Sequence, residues 1–298
     1  MIINRGSLRD LQVGYKRNFQ SVFESTTALY QAVSTIVPSG TASERYPWLG
    51  SIPGVREWIG ERVLRNISEY GYEIRNRSWE QTVAVPREAI EDDQFGVYSP
   101  LMEEMGRAAR THPDTLVFNL LRAGFSTLCF DGQFYFDTDH PVLDAAGTPY
   151  SVSNMQAGAG APWYLMDLRR RLKPIIFQER KRPEFVAKDD PETSDEVFKR
   201  NEFIYGSYAR HNVGFGFWQL AFGSKAPLTK ENFRAARNAM MQIRRDYGDP
   251  LGVVPTHIVV GPSTQDAARD LILSERLSNG ESNTDRNLVA IMEVPWLD

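Results

Sequence analysis

The run Asp137-Thr138-Asp139-His140-Pro141 is the stretch of this chain whose residue types and spacing could do chemistry. Two carboxylates two positions apart, followed at once by an imidazole, can ligate a divalent cation. A metal-dependent hydrolase centred on Asp137, Asp139 and His140 is therefore one reading. It is short of ligands: of the 4 histidines in the chain, the other three (His112, His211 and His257) share no metal-binding spacing. The competing reading is a turn, because Asp side chains bond nearby backbone amides and Pro141 suits a chain reversal.

Other candidates for chemistry are weaker. Nothing resembles a nucleophile elbow or a Cys–His pair. Gly214-Phe215-Gly216 lacks the strand–turn–helix context and further glycines of a phosphate loop, and suits a strand that another backbone approaches closely. A basic run (Arg169, Arg170, Arg171, Lys173, Arg180, Lys181, Arg182) precedes an acidic one (Asp189, Asp190, Glu192, Asp195, Glu196). The first could touch nucleic acid, as in a DNA-packaging accessory protein. The second offers a counter-charge within the chain or across a subunit boundary, and opposed charges of this kind steer association and fix register. No motif calls for a cofactor.

Composition narrows the classes. The chain has 298 residues, 42% hydrophobic and 24% charged, enough for a buried core and against wholesale disorder. With 34 basic and 38 acidic residues the net charge is −4, unlike a binder that works by neutralising phosphates. Cys129 is the 1 cysteine, which rules out an internal disulfide and a cysteine-rich metal site. No apolar run approaches the ~20 residues a membrane-spanning helix needs, and no signal-peptide pattern follows Met1.

The elements that must position these residues read as a mixed α+β protein. Residues 8–36 carry weak helical spacing through Leu11, Tyr15, Phe19, Val22 and Phe23. Residues 37–54 read as an extended arm, because Pro38, Pro47 and Pro53 forbid a continuous helix. Its aromatics Tyr46 and Trp48, with Leu49, need a surface, either the arm's own domain or a neighbouring subunit. Alternation through Tyr70, Tyr72 and Ile74, resumed at Trp79, Val83 and Val85, predicts a β-hairpin over about 70–86 with Arg75-Asn76-Arg77-Ser78 at its tip. Ser99-Pro100 predicts a helix start, with Ser99 as the cap. The helical pattern runs to Leu121, with a kink or break near His112 imposed by Pro113. Residues 130–136 suggest a short hairpin, and 156–162 a flexible connection. In the last quarter, a helix capped by Thr229, a strand at 257–260, a helix after Pro262 and a strand at 288–292 alternate.

The order of these parts resembles the tailed-phage major capsid fold of the Hong Kong phage type, with N-arm, extended loop, spine helix, peripheral domain and axial domain. More closely, Trp48-Leu49-Gly50, Val55-Arg56-Glu57-Trp58-Ile59-Gly60-Glu61-Arg62, Ile90-Glu91-Asp92-Asp93, Asp131-Gly132, Thr138-Asp139-His140-Pro141 and Pro255-Thr256 resemble the major head subunit of Mu-like phages and prophages. The resemblance implies residues 1–54 as N-terminal arm, 55–95 as extended loop and flanks, and 96–150 as spine helix and peripheral domain. It further implies 151–285 as mainly axial domain, and 286–298 as a C-terminal strand with a return to the peripheral domain as one route.

The implied function is a structural, non-enzymatic subunit that joins copies of itself into pentamers and hexamers of an icosahedral shell around phage DNA. It would act in the virion after assembly in the host cytoplasm, with no cofactor and no membrane. The partners implied are further copies, a separate scaffolding protein, a portal, optionally decoration proteins, and double-stranded DNA bound without sequence specificity. Inter-subunit contacts are expected at Tyr46, Trp48, Leu49, Arg75, Asn76, Arg77, Trp79, Arg170, Arg180, Asp190 and Glu192. Some relatives carry a cleaved N-terminal scaffolding segment; here the arm begins almost at Met1, so a fused scaffold is not expected. Some crosslink through a hairpin lysine; none lies between Tyr70 and Pro86, and arginine does not readily deprotonate to replace it, so a non-covalent shell is expected.

Overall fold

The computed structural model describes residues 5–49, 71–92, 96–189, 194–276 and 280–298. Helix α1 (Arg5–Ser25) presents Leu8, Tyr15 and Phe19 on one face, all buried. A short helix α2 (Tyr30–Val33) runs directly into strand β1 (Ser34–Pro38). Strands β2 (Ser43–Arg45), β3 (Glu73–Arg75) and β4 (Arg77–Pro86) follow, then helix α3 (Arg87–Glu91) and the long helix α4 (Ser99–Arg122). Strands β5 (His140–Leu143) and β6 (Pro149–Val152) form a hairpin, and β7 (Met155–Gln156) and β8 (Trp163–Met166) come next. Strand β9 (Ile175–Lys188), helix α5 (Asp195–Arg200) and strand β10 (Glu202–Phe215) lead to β11 (Ala221–Ser224). Helix α6 (Lys230–Met241), strand β12 (His257–Val260), helix α7 (Gln265–Leu273) and strand β13 (Ala290–Glu293) complete the chain.

Two larger sheets result. One has the order β1-β9-β10-β4, the other β13-β12-β8-β11-β7. Strand β8 is buried at all four positions, as suits a central strand covered on both faces. Strands β9 and β10 are each 14 residues long and pair antiparallel. At its start β9 is buried at every position (Ile175 to Gln178); beyond Glu179, where its pairing with β1 ends, it alternates. Pro183 lies in that outer stretch. A proline cannot donate to a ladder, and the register against β10 shifts twice opposite it, between Tyr208 and His211.

Helix α4 ties two hydrophobic cores together. Its first half gives Met102, Met105 and Ala109 to a smaller core with α1, Val85, Phe185, Phe203 and Tyr205. Its second half gives Val117, Phe118 and Leu121 to the larger core under the five-stranded sheet. Each such side chain stabilises the fold by roughly 1.5–3 kcal/mol when fully buried. Asp114, also buried, accepts from Tyr30 N at 2.6 Å and so holds the start of α2 against α4. The C-terminal turn at Pro295–Leu297 returns to the same helix, where Trp296 stacks on Phe118 and Arg122 donates to Asp298 O at 3.0 Å.

Several expectations are corrected. The strands around residues 70–86 do not pair as a hairpin: β3 pairs with β2, and β4 pairs with β10. None of Arg75 to Ser78 takes the positive φ that a tight hairpin turn needs, and Asn76 is buried, bonded to Ser39, Thr41 and Gln178. The chain therefore passes straight from one ladder to the next. Within residues 151–285, β9 and β10 join the sheet built with β1 and β4, while β7, β8, β11 and β12 lie in the other. Tyr98, not Ser99, precedes α4, with no side-chain cap. The one long helix is as expected, and of the two alternatives near His112 it has no break at the buried Pro113, being held by packing on both cores rather than by propensity. The 156–162 connection packs closely: a Cβ on Gly158 would lie 2.1 Å from Lys225 O.

Candidate functional site

The Asp137–His140 stretch does not assemble a catalytic centre. Asp137 turns back on its own backbone, accepting from Phe134 N at 3.1 Å and Thr138 N at 2.7 Å. Partial burial pushes its carboxyl up, but these bonds hold it below the usual carboxylate value. Asp139 is exposed and bonds Asp137, which raises its own carboxyl. The His140 ring is fully buried, stacked on Trp218 with centroids 4.0 Å apart, and directed instead to Asp131 at 2.7 Å. This geometry does not support the hydrolase reading: the aspartates serve the turn and the histidine serves the core. Asn154, 0% exposed, fixes that turn by accepting from Asp137 N and donating to carbonyls of Tyr135, Trp218 and Ala221.

Cys129, Asp131 and His140 do converge, their donor atoms lying within 4.8 Å of one another. The cysteine Sγ donates to Asp131 Oδ1 at 3.0 Å, and His140 Nδ1 faces Asp131 Oδ2. Burial, with the Asp131 charge adding, pushes the thiol far above its ordinary value, so it is a poor thiolate. His140 Nε2 is buried without a partner. With the proton on Nδ1 that atom is only a bare lone pair; a cation on Nδ1 would put a proton there and bury an unpaired donor, the costlier arrangement. The trio is a hydrogen-bonded lock between the turn at Gly132 and β5.

The expected contact residues are largely occupied by their own chain. Tyr46 and Leu49 are 2% and 0% exposed. The Tyr46 hydroxyl donates to the buried Gln178 at 2.7 Å, and Trp48 packs on Phe217. This segment finds its surface on its own domain, the first of the two seats open to it. Asn76 is buried, and Trp79 packs on His112 and donates to His211 O at 3.0 Å. Arg170 donates to Leu251 O and Arg180 to Ser39 O. Arg169 grips Asp167 with two bonds of 2.9 and 2.7 Å, so much of the basic run is spent inside the fold. Arg75 and Arg77 remain exposed, while Asp190 and Glu192 lie outside the described residues.

One cluster escaped the sequence reading. His112 and His211, 99 positions apart, face each other Nδ1 to Nε2 at 3.1 Å. The available signal was the alternation Phe203, Tyr205, Ser207, Ala209, His211, whose members all point into the protein along β10. Among the described residues no helix is long and apolar enough to cross a membrane.

A 24-residue helix shared by two cores, a four-stranded sheet centred on two 14-residue strands and a separate five-stranded sheet together make an α+β architecture. Solved structures with this arrangement place it in the tailed-phage major capsid class. The chain superposes on a subunit of the procapsid of bacteriophage JBD30 with TM-score 0.89 at 45% identity, covering 99% of this chain and 100% of that one. For the JBD30 capsid the TM-score is 0.80 at 33% identity, with 100% of both chains covered. For the JBD30 capsid decorated with minor capsid protein trimers it is 0.78 at 32%, again covering 100% of both.

The sequence agrees. Residues 8–297 match the profile described as "Mu-like prophage major head subunit gpT". The chain is 38% identical to the major capsid protein of Escherichia phage Mu over 307 residues, covering 100% of this chain and 99% of the other. It is 46% identical to the Mu-like prophage FluMu major head subunit of Haemophilus influenzae over 275 residues, covering 90% and 89%. The chain belongs to the Mu-like prophage major head subunit family and is a major capsid protein, a structural component of the phage head.

Proposed function

We propose that this chain joins copies of itself into pentamers and hexamers, and that these close into an icosahedral head around double-stranded DNA. It works by binding alone, without a catalytic step. The observation that carries the reading is the whole-length match to head subunits in both sequence and fold. Closed symmetry lets one modest interface be repeated many times. A separate scaffolding protein would guide closure, a portal would occupy one vertex, and a minor capsid protein could decorate the outside, as the decorated JBD30 relative suggests. DNA would be enclosed without sequence-specific contacts.

Because Tyr46, Leu49 and Asn76 are covered by their own chain, the inter-subunit surface is better sought where apolar and charged groups stay uncovered. Leu128 and Phe134 pair across a bridge and are 57% and 41% exposed; Val97 and Val186 are 67% and 53% exposed. Arg75 ends β3 and Arg77 opens β4, and both are exposed. We assign residues 55–95 as the extended loop and its flanks, as the family resemblance implies. The sequence there contains no lysine, which favours a non-covalent shell. The four-stranded sheet with α1 and α4 would be the peripheral domain, and the five-stranded sheet with α6 and α7 the axial domain. Expression with a candidate scaffold, followed by sedimentation velocity, tests the proposal. Particles of megadalton size that SDS alone dissociates to monomer are expected. Monomer at every salt and protein concentration, with and without scaffold, would overturn it.

A further inference from the structure

His112 on α4 and His211 on β10 meet where the smaller core gives way to the larger. Met105 and Ala109 on one side of His112 belong to the first, and Val117 and Phe118 on the other side to the second. The rings are 5.2 Å apart, centroid to centroid. Trp79 covers both, at 4.5 Å from His112 and 5.9 Å from His211, while Phe177 lies 5.2 Å from His211. His211 is 2% exposed. Packing around the pair is incomplete. A cavity of about 170 Å³ is bordered by Trp79, Ala108, Pro183 and the two histidines, and another of about 230 Å³ by Phe23, Tyr30, Pro113 and His211.

A neutral pair can share one N–H between the facing nitrogens. One added proton already places a charge in a desolvated site, and a second forces two N–H groups to face each other. Among the described residues no carboxylate bonds either ring. On β9, Glu179 pairs with Arg182 at 3.1 Å and Glu184 with Lys181 at 2.9 Å. On β4, Glu80 accepts from Thr82 and Arg77 is exposed. On α4, Arg110 donates to Thr26 O and Asp114 accepts from Tyr30 N. On α1, Glu24 accepts from Gln20, and on β10 the neighbouring charge is Arg210. Glu80 and Glu179 border the cavities beside the pair, but among the described residues their bonds go to Thr82 and Arg182, and neither bonds an imidazole.

We propose that the His112–His211 pair is an acid-operated joint. At neutral pH it fastens α4 to β10. On acidification it releases the α1–α4 side of the smaller core while the five-stranded sheet stays packed. The direction of titration agrees: burial, with His112 adding, pushes His211 down from 6.5 to about 3, and burial lowers His112 as well. A histidine depressed in this way contributes stability that is complete above its ordinary value and is lost as pH falls toward the folded one. Asp114, raised by burial, acts in the opposite sense. For one such imidazole the opening equilibrium at pH 4.5 rises by up to about 100-fold over neutral pH.

Hydrogen exchange of the full-length dispersed chain at pH 7.0 and 4.5, corrected for intrinsic rates, reads this directly. The joint predicts at least a tenfold gain in opening for α1, the first half of α4 and β4, and less than threefold for β8 and β12. It predicts that His211→Gln and His112→Phe shrink the α1–α4 response to below threefold. Parallel loss of protection in both cores, or a full response in both variants, would overturn it. If the variants do not fold, nitrogen-15 titration of the wild-type rings decides: a His211 midpoint below 5 supports the joint, and one at or above 5 refutes it.

Discussion

Gly106→Ala should loosen the attachment of α1, while Gly14→Ala, on the helix that Gly106 touches, should tighten the fold. A Cβ on Gly106 would lie 2.3 Å from Phe19 O and 3.2 Å from Phe23 N, both backbone atoms of α1. Ordinary contact begins near 3.4 Å, so α1 must withdraw by roughly 1 Å along the face that buries Tyr15 and Phe19. Overpacking of this kind costs about 1–3 kcal/mol. The better helix preference of alanine offsets about 0.5–1 kcal/mol, leaving a net loss of about 0.5–2 kcal/mol. Gly14 has nothing within 4 Å and no positive φ, so alanine there should simply gain about 0.5–1 kcal/mol. Urea unfolding of the dispersed chain, followed by circular dichroism at unchanged slope, measures both. Were Gly106→Ala as stable as the wild type, the close crossing of α1 over α4 would be wrong.

Other substitutions test other parts of the fold. Asn154→Ala strands the Asp137 amide and buried carbonyls, and should cost about 2–4 kcal/mol, read as a lowered unfolding midpoint. Asp139→Ala, at an exposed position, should leave both stability and assembly unchanged, and prolonged chelator treatment should leave Tm unmoved; a clear fall in either would revive a cation at this turn. Removing residues 295–298 takes away the Trp296 stack and the buried Leu297, for a loss of about 2–5 kcal/mol in denaturant unfolding. Phe134→Ser, at a 41% exposed site, should cost the isolated subunit less than about 1 kcal/mol yet block particle formation in sedimentation.

The long helix and the strand at 257–260 were legible from periodicity, and the 229–241 helix from periodicity together with its Thr229 cap. Strand β9 was hidden. Its outer half, Glu179-Arg180-Lys181-Arg182-Pro183, reads as a charged surface run, yet it is a strand whose β1 neighbour ends at Glu179, where charges and a proline are tolerated. The false hairpin arose because alternation on either side of Asn76 is real, but its partners are β2 and β10, which lie far off in sequence. Which of the two seats the aromatic arm takes was not legible for a similar reason. Gln178, 132 positions from Tyr46, supplies the acceptor that seats the tyrosine on its own domain. The function was legible through the motifs that resemble Mu-like head subunits, from Trp48-Leu49-Gly50 to Pro255-Thr256.

Electron microscopy of the full-length chain expressed with a scaffold tests the claim that this fold is a shell unit. Closed icosahedral particles are expected, with both sheets and α4 of every subunit fitting density as described. Unclosed aggregates or single subunits under all conditions would contradict it.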